Sequence, residues 1–209
     1  MGVVRARALA DCGDHCYDLG NVVGLGTTFD SQPKTLAAFV RFNPRPNWEN
    51  TMEERIHYTK VSPGAFHAML GLEKYLHECG LEAGLLHLIK FRVSQINGCA
   101  YCLDMHSKDL RAIGETEQRL YSLEAWRECP YYTDRERAAL AWAESVTLVS
   151  KTHVPDEVYE EAKQHFSEKE LGDLTVAVAT INAWNRLSIA GRTTPGTYQP
   201  QKVDLKKGA

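Results

Sequence analysis

The sequence of 209 residues has no apolar run approaching the roughly 20 residues that cross a membrane. Its formal net charge is only −3 and both signs are interspersed, so nothing in it favours binding to nucleic acid. The opening residues, MGVVRARALA, lack the continuous apolar stretch of a secretory signal. These absences predict a cytoplasmic protein that has neither a membrane nor a nucleic acid as its partner.

Pairs of residues at the spacings typical of metal ligands are also rare in the sequence. The chain has six cysteines, but a CxxC spacing occurs once and an HxxxH spacing does not occur. In a reducing cytoplasm, cysteines are better interpreted as thiols than as structural disulfides. The single CxxC is therefore the first place to look for chemistry.

Composition divides the chain into three segments. Residues 1–51 hold scattered glycines and prolines without a sustained helical period, and we interpret them as an N-terminal extension that is poorly ordered or not native. Residues 52–192 carry a nearly continuous series of helix signals, on a scale that suits one domain with a sizeable core. Residues 193–209 contain proline, glycine and lysine and are interpreted as a loose C-terminal tail.

Apolar residues recur at spacings of three and four across residues 52–192, and no convincing strand pattern is present. Ser62 and Pro63 have the types that begin a helix, and Asn97-Gly98 separates the next two helices. Two later helices begin with the spacing of a capping box: Thr133 with Glu136, and Ser167 with Glu170. The pattern predicts an all-α bundle.

The run SQINGCAYCLDMH contains a CxxCxxxH motif at the boundary between two predicted helices. At about 100° per residue, Cys99, Cys102 and His106 fall within about 60° of one another on one helix face. Two thiols three residues apart can close a disulfide across the first helical turn, where the helix dipole favours thiolate. His106, one turn after Cys102, can accept the proton of that thiol. The motif predicts thiol redox chemistry on a buried or half-buried face.

Two other interpretations of the motif stay open. The cysteines could pack in the core as small apolar residues, as free cysteines often do. Cysteine and histidine are also zinc ligands, but a structural zinc site needs a fourth ligand, which would have to arrive through the fold. We predict a redox pair without a bound metal.

With these residues placed, residues from about 52 to 192 resemble the alkylhydroperoxidase AhpD and carboxymuconolactone decarboxylase superfamily. SQINGCAYCLDMH matches the AhpD-like branch, and RAALAWAESVT (137–147) and INAWNRLSIAGR (181–192) extend the match. The resemblance implies an AhpD-like helical fold that builds homo-oligomers, as trimers or hexamers, with active sites near the subunit contacts. It also implies a peroxidase that uses two cysteines.

The resemblance implies a role for each residue of the site. Cys102 corresponds to the cysteine that attacks the peroxide, Cys99 to its disulfide partner and His106 to the proton-relay histidine. His87 stands twelve residues before Cys99, where the family motif has a glutamate. It could relay a proton but would not supply negative charge. Tyr101 replaces a histidine of the best-known AhpD enzymes.

The expected activity is reduction of a hydroperoxide, with the disulfide reduced again by a dithiol such as a lipoyl or thioredoxin-like protein. No haem, flavin or nicotinamide is expected to take part. The order of attack stays open, because in other CxxC proteins the first cysteine is the exposed nucleophile. Two alternatives to a peroxidase also stay open. One is a cofactor-free lyase or hydrolase of a carboxylated lactone that uses His87 and His106, and the other is a non-enzymatic redox sensor.

Overall fold

The computed structural model describes residues 53–200, and these residues form helices and no strand. In chain order the helices are α1 (Tyr58–Val61), α2 (Pro63–Glu78), α3 (Ala83–Asn97), α4 (Ala100–Ala112), α5 (Glu117–Ser122), α6 (Asp134–Thr147), α7 (Val149–Thr152), α8 (Asp156–His165) and α9 (Glu168–Gly191), with a 3₁₀ turn at Leu123–Ala125. The predicted all-α class is confirmed. The predicted extension, residues 1–51, and the last nine residues of the predicted tail lie outside the described residues.

Local signals in the sequence set several helix ends. At the start of α6, the Thr133 side chain accepts a hydrogen bond from the Glu136 N–H, while the Glu136 carboxylate accepts one from the Thr133 N–H. Ser167 and Glu170 make the same reciprocal pair at the start of α9. Both predicted capping boxes are therefore confirmed, and each satisfies backbone donors that a helix start leaves unpaired.

Helix α3 lies at the centre of the bundle and packs against α4, α6 and α9. Its residues are buried on opposite sides: Ile89 and Val93 lie in the larger cluster of core side chains, and Leu88 lies in the smaller one. Full burial of an aliphatic side chain stabilises a fold by roughly 1.5–3 kcal/mol. The two clusters therefore hold α3, and the turn that follows it, in a fixed position.

Gly191 at the end of α9 holds the chain that precedes α1. The Arg55 N–H donates to the Gly191 carbonyl at 2.8 Å. A Cβ atom at position 191 would lie 3.0 Å from Tyr58 Cε2 and 3.1 Å from the Ile56 carbonyl oxygen. A side chain there would force these neighbours apart, so this close approach requires glycine.

Trp126 and Trp142 are buried inside the bundle. Trp126 is 4% exposed and Trp142 is 8% exposed, and their indole N–H groups donate to Glu144 and Thr175. These two side chains therefore add no free apolar surface to the outside of the bundle. The homo-oligomer itself stays a prediction. Large exposed apolar side chains of α2 are Leu70, Leu72 and Tyr75.

The first part of the predicted tail lies against α4. The Gly196 N–H donates to Asp104 at 3.0 Å, and Lys108 donates to the Tyr198 carbonyl at 3.0 Å. These bonds bring the Tyr198 ring to the side of α4 that carries the CxxCxxxH motif. Within residues 53–200, every helix is too short or too polar to span a bilayer.

Candidate active site

The CxxC pair lies at the start of α4 because of a left-handed turn. Gly98 ends α3 with φ 68°, a conformation that glycine adopts without steric cost. The Cys99 N–H closes the end of α3 by donating to the Ser94 carbonyl at 3.1 Å. Cys99 is then the N-cap of α4, and its sulfur accepts a hydrogen bond from the Cys102 N–H at 3.4 Å. One sulfur therefore lies at the positive end of the helix dipole.

A buried polar network lies behind this turn. The Asn97 amide donates to Asn182 at 3.0 Å and to Asn185 at 2.8 Å. Asn185 in turn donates to the Ser94 hydroxyl at 3.1 Å, and that hydroxyl donates to the Lys90 carbonyl at 2.7 Å. Asn185 is fully buried. The network fixes the end of α3 against α9, and it accounts for the asparagines in the two sequence runs that carried the family resemblance.

Cys99 and Cys102 form a disulfide, with Cα atoms 5.4 Å apart, and each residue is 1% exposed. The predicted close pair is confirmed. The two cysteines border different spaces. Cys102 borders a cavity of about 780 Å³, whereas Cys99 borders a separate cleft of about 210 Å³. A small molecule in the larger cavity can therefore reach Cys102 before it reaches Cys99.

Both histidines of the predicted site border the larger cavity. His106 is 4% exposed, and its ring centroid lies 5.8 Å from that of His87. Neither ring nitrogen of His106, nor Nδ1 of His87, has a hydrogen-bond partner within the described part of the chain. Buried polar atoms are rarely left in this state. These nitrogens are therefore free to bind a proton or a ligand.

Asp109 is the member of the site that the sequence analysis missed. Its Oδ2 atom lies 3.7 Å from Nδ1 of His106 and 3.8 Å from Nδ1 of His87, beyond direct hydrogen-bond range. Its other oxygen accepts a hydrogen bond from the Tyr198 hydroxyl at 2.6 Å. Asp109 follows His106 by three residues on α4, so helical spacing could have identified it. Tyr198 is far away in sequence and carried no such signal.

This arrangement shifts the titration of the site. The pKa of His87 is lowered to about 4, mainly by burial and also by the neighbouring His106, while Asp109 acts in the opposite direction. Burial also lowers the pKa of His106. Burial by itself would raise the pKa of Asp109, but contacts with His106, Tyr198 and His87 outweigh it and hold that pKa below its usual value. At neutral pH the site holds two neutral imidazoles beside one carboxylate.

An ion pair between Lys90 and Glu73 lines the same cavity. Lys90, only 6% exposed, donates to Glu73 at 2.5 Å, and the Trp184 indole donates to the other Glu73 oxygen at 3.0 Å. The rest of the cavity wall is largely apolar. It includes Phe66, Leu70, Leu86, Met105 and Leu187. The cavity can therefore accept an apolar molecule that carries one polar group at the histidine end.

The fold and the site together define an all-helical protein with an AhpD-like CxxCxxxH site. The model of the carboxymuconolactone decarboxylase family matches residues 63–145. The uncharacterized protein YdfG of Bacillus subtilis is 45% identical over 139 residues, which are 66% of this chain and 95% of that protein. The chain belongs to the AhpD-like and carboxymuconolactone decarboxylase superfamily.

Solved structures agree with this assignment. A protein of unknown function from Agrobacterium tumefaciens, a candidate antioxidant defence protein AhpD, is 44% identical and superposes with a TM-score of 0.68. The match covers 70% of this chain and 100% of the Agrobacterium tumefaciens protein. The debrominase Bmp8 is 22% identical with a TM-score of 0.57, over 65% of this chain and 73% of its own. At that identity the likeness extends to the fold alone.

Proposed function

We propose that this protein is a thiol-dependent peroxidase that reduces an organic hydroperoxide with the Cys99 and Cys102 pair. The observation that carries the proposal is that Cys102 and His106 border one cavity of about 780 Å³, while Cys99 is in disulfide reach on the far side. A nucleophile and a base thus border one space, and the resolving thiol lies within disulfide distance of the nucleophile. The predominantly apolar wall favours an organic substrate over hydrogen peroxide.

The proposed reaction begins with the reduced pair. Neutral His106 accepts the proton of the Cys102 thiol, and the thiolate attacks the terminal oxygen of the hydroperoxide ROOH. The O–O bond breaks, Cys102 becomes a sulfenic acid, and ROH leaves with the proton that His106 held. The Cys99 thiol then condenses with the sulfenic acid, which forms the disulfide and releases water. Substrate gains two electrons and the dithiol loses two.

The catalytic cycle needs an external dithiol. Its thiolate attacks the disulfide, passes through a mixed disulfide, and leaves with both of its sulfurs oxidised while Cys99 and Cys102 become thiols again. We propose a lipoyl or thioredoxin-like protein as this partner. Asp109 supplies the negative charge that His87 lacks at the position of the family glutamate, and it stabilises transient positive charge on either imidazole.

The test is to treat fully reduced protein with cumene hydroperoxide and to follow peroxide loss and intact mass. We expect one peroxide consumed per chain without added reductant and a mass loss of two hydrogens. Cys102→Ser should abolish both, while Cys129→Ser is the matched control because Cys129 lies outside the cavity lining. Peroxide loss that survives replacement of both motif cysteines would contradict the proposal, whereas turnover of a carboxylated lactone by that double variant would favour the cofactor-free lyase or hydrolase.

The roles of the two thiols are tested by trapping with a sulfenic-acid reagent. Cys99→Ser should give a stable, trappable sulfenic acid at Cys102, because the resolving thiol is gone. Cys102→Ser should give none at Cys99. A trapped sulfenic acid at Cys99 in that variant would reverse the two assignments.

We also propose that the protein works as a homo-oligomer, a trimer or a hexamer. The exposed apolar side chains of α2 support this proposal, since water-exposed apolar surface is often covered by another subunit. Light scattering of the full chain should give a multiple of 23.5 kDa. A monomer at micromolar concentration would contradict it.

A further inference from the structure

The half-buried His87, the buried His106 and Asp109 share a geometry that the peroxidase reaction does not require. One ring nitrogen of His87, one ring nitrogen of His106 and a carboxylate oxygen of Asp109 all lie within 4.8 Å of one another. Two of these separations are 3.7 and 3.8 Å, each from a histidine to the carboxylate. Nδ1 of His87 and both nitrogens of His106 have no hydrogen-bond partner within residues 53–200.

These separations match the size of a transition-metal site. With bonds of about 2.0–2.2 Å, a tetrahedral zinc ion holds its ligand atoms about 3.4 Å apart. Closing the cluster from the observed separations needs only small side-chain movements. Two imidazoles and one carboxylate are also a ligand set that first-row divalent transition ions accept, whereas Mg²⁺ and Ca²⁺ favour all-oxygen sites.

The surroundings fit a bound cation. His106 is 4% exposed, and neither of its ring nitrogens has a hydrogen-bond partner within residues 53–200, so these nitrogens are available as ligands. The Tyr198 hydroxyl holds Asp109 in place from outside, as supporting groups do around metal ligands. Lys74 and Lys90 also border the cavity, and the charge of Lys90 is balanced by Glu73. Nitrogen atoms that are buried and have no hydrogen-bond partner within residues 53–200 therefore lie beside a carboxylate, which is a suitable set of ligands for a metal ion.

We propose that His87, His106 and Asp109 bind one divalent first-row transition-metal ion, for which Zn²⁺ is the simplest probe. This site is different from the Cys99, Cys102 and His106 zinc set considered from the sequence. All three ligands border the large cavity, so a fourth coordination position is open to water or to an oxygen atom of a bound molecule. The binding proposal does not depend on the peroxidase activity.

The test uses the full chain in its disulfide form, after removal of metal by a chelator, so that Cys99 and Cys102 cannot act as thiolate ligands. Zn²⁺ binding is measured by calorimetry and by competition with a chromogenic chelator. We expect His87→Gln and Asp109→Asn each to lose one bound ion per chain, or to bind it more than about tenfold more weakly, since even supporting groups contribute this much. Millimolar Mg²⁺ should not compete.

His77→Gln is the matched control, because His77 borders the same cavity but lies outside the cluster. It should bind Zn²⁺ as tightly as the unmodified protein does. Ions held elsewhere on the chain remain in all variants and cancel in the comparison. Equal stoichiometry and equal affinity in the unmodified protein, His87→Gln and His77→Gln would overturn the proposal.

Co²⁺ gives a readout that does not depend on how well the variants fold. In the unmodified disulfide form, Co²⁺ at this site should give visible d–d absorption without a thiolate charge-transfer band. Addition of one equivalent of Zn²⁺ should remove the absorption. A charge-transfer band in the disulfide form, or a spectrum indistinguishable from aqueous Co²⁺, would overturn the assignment of ligands. Neither result bears on peroxide reduction, so the two proposals fail separately.

Discussion

The polar groups on the two sides of the disulfide differ in how they are paired. Behind it, Ser94, Asn97 and Asn185 are joined by hydrogen bonds of 2.8 to 3.1 Å and hold α3 against α9. In front of it, His106 is equally buried but neither of its nitrogens has a partner within residues 53–200. A satisfied network positions the motif, and an unsatisfied one is available for protons and ligands.

The largest effect on stability should come from breaking the hydrogen-bond network of Ser94, Asn97 and Asn185. Asn185→Ala removes two buried hydrogen bonds and leaves a cavity in a fully buried position, so we expect the free energy of unfolding to fall by about 4 kcal/mol. Urea denaturation measures this loss. Gln118→Ala, at an exposed helix position, is the control and should change stability little. An equal, small effect in both variants would show that the network does not hold α3.

The histidine nitrogens that have no hydrogen-bond partner within residues 53–200 should make stability depend on pH. Because the pKa of His87 is about 4 in the folded chain and 6.5 is its ordinary value, its contribution is complete above pH 6.5. The contribution is lost as pH falls from 6.5 to about 4, since the unfolded chain then binds the extra proton. The loss amounts to about 3 kcal/mol.

Urea denaturation of chelator-treated protein between pH 7 and pH 4 measures this slope. His87→Gln should flatten it by about the same 3 kcal/mol, leaving the part that belongs to His106 and other groups. His77→Gln, with an exposed side chain, should keep the full slope. A slope unchanged by His87→Gln would contradict the burial of a neutral imidazole.

A smaller effect is expected on the reactivity of Cys102. His106→Gln keeps much of the side-chain volume but removes the proton acceptor, so Cys102 of the reduced, chelator-treated protein should alkylate about tenfold more slowly at pH 7, which is about 1.4 kcal/mol. The rate should recover as pH rises toward about 8.5, the value of a free thiol. Peptide mass spectrometry follows Cys102 separately from Cys99. An unchanged profile, matching His77→Gln, would make His106 a packed core residue.

The smallest effect should come from the hydrogen bond that the Tyr198 hydroxyl donates to the Asp109 side chain. Tyr198→Phe removes this bond while keeping the ring, and we expect it to lower the free energy of unfolding by about 1 kcal/mol at pH 7. The folded pKa of Asp109 is held below its usual value, so this contribution is present above about pH 4 and is lost as pH falls through the folded pKa. A loss that persists at pH 2 would show that the tyrosine acts through packing rather than through its hydroxyl.

Much of the fold could be predicted because its signals are local. A capping box places donor and acceptor three residues apart, so Thr133 and Ser167 indicate where their helices begin. The shared face of Cys99, Cys102 and His106 follows from the helical repeat in the same way. Asp109 follows the same repeat, three residues after His106, but it lies outside the CxxCxxxH motif. The burial of Trp126 could not be predicted, since an apolar side chain does not indicate whether its own chain or a second subunit covers it.

By itself, the sequence determined the all-α class, the helix boundaries and the spacing of the CxxCxxxH motif, because these depend on residues within one or two helical turns of each other. Only the tertiary structure decided that His87 on α3, Asp109 on α4 and Tyr198 beyond α9 meet around one cavity. It also decided that Cys102 faces that cavity and that Cys99 faces another space. The physical reason is that these contacts depend on how α3 packs against α4 and α9, and the packing is set by the sum of many buried side chains rather than by any local pattern.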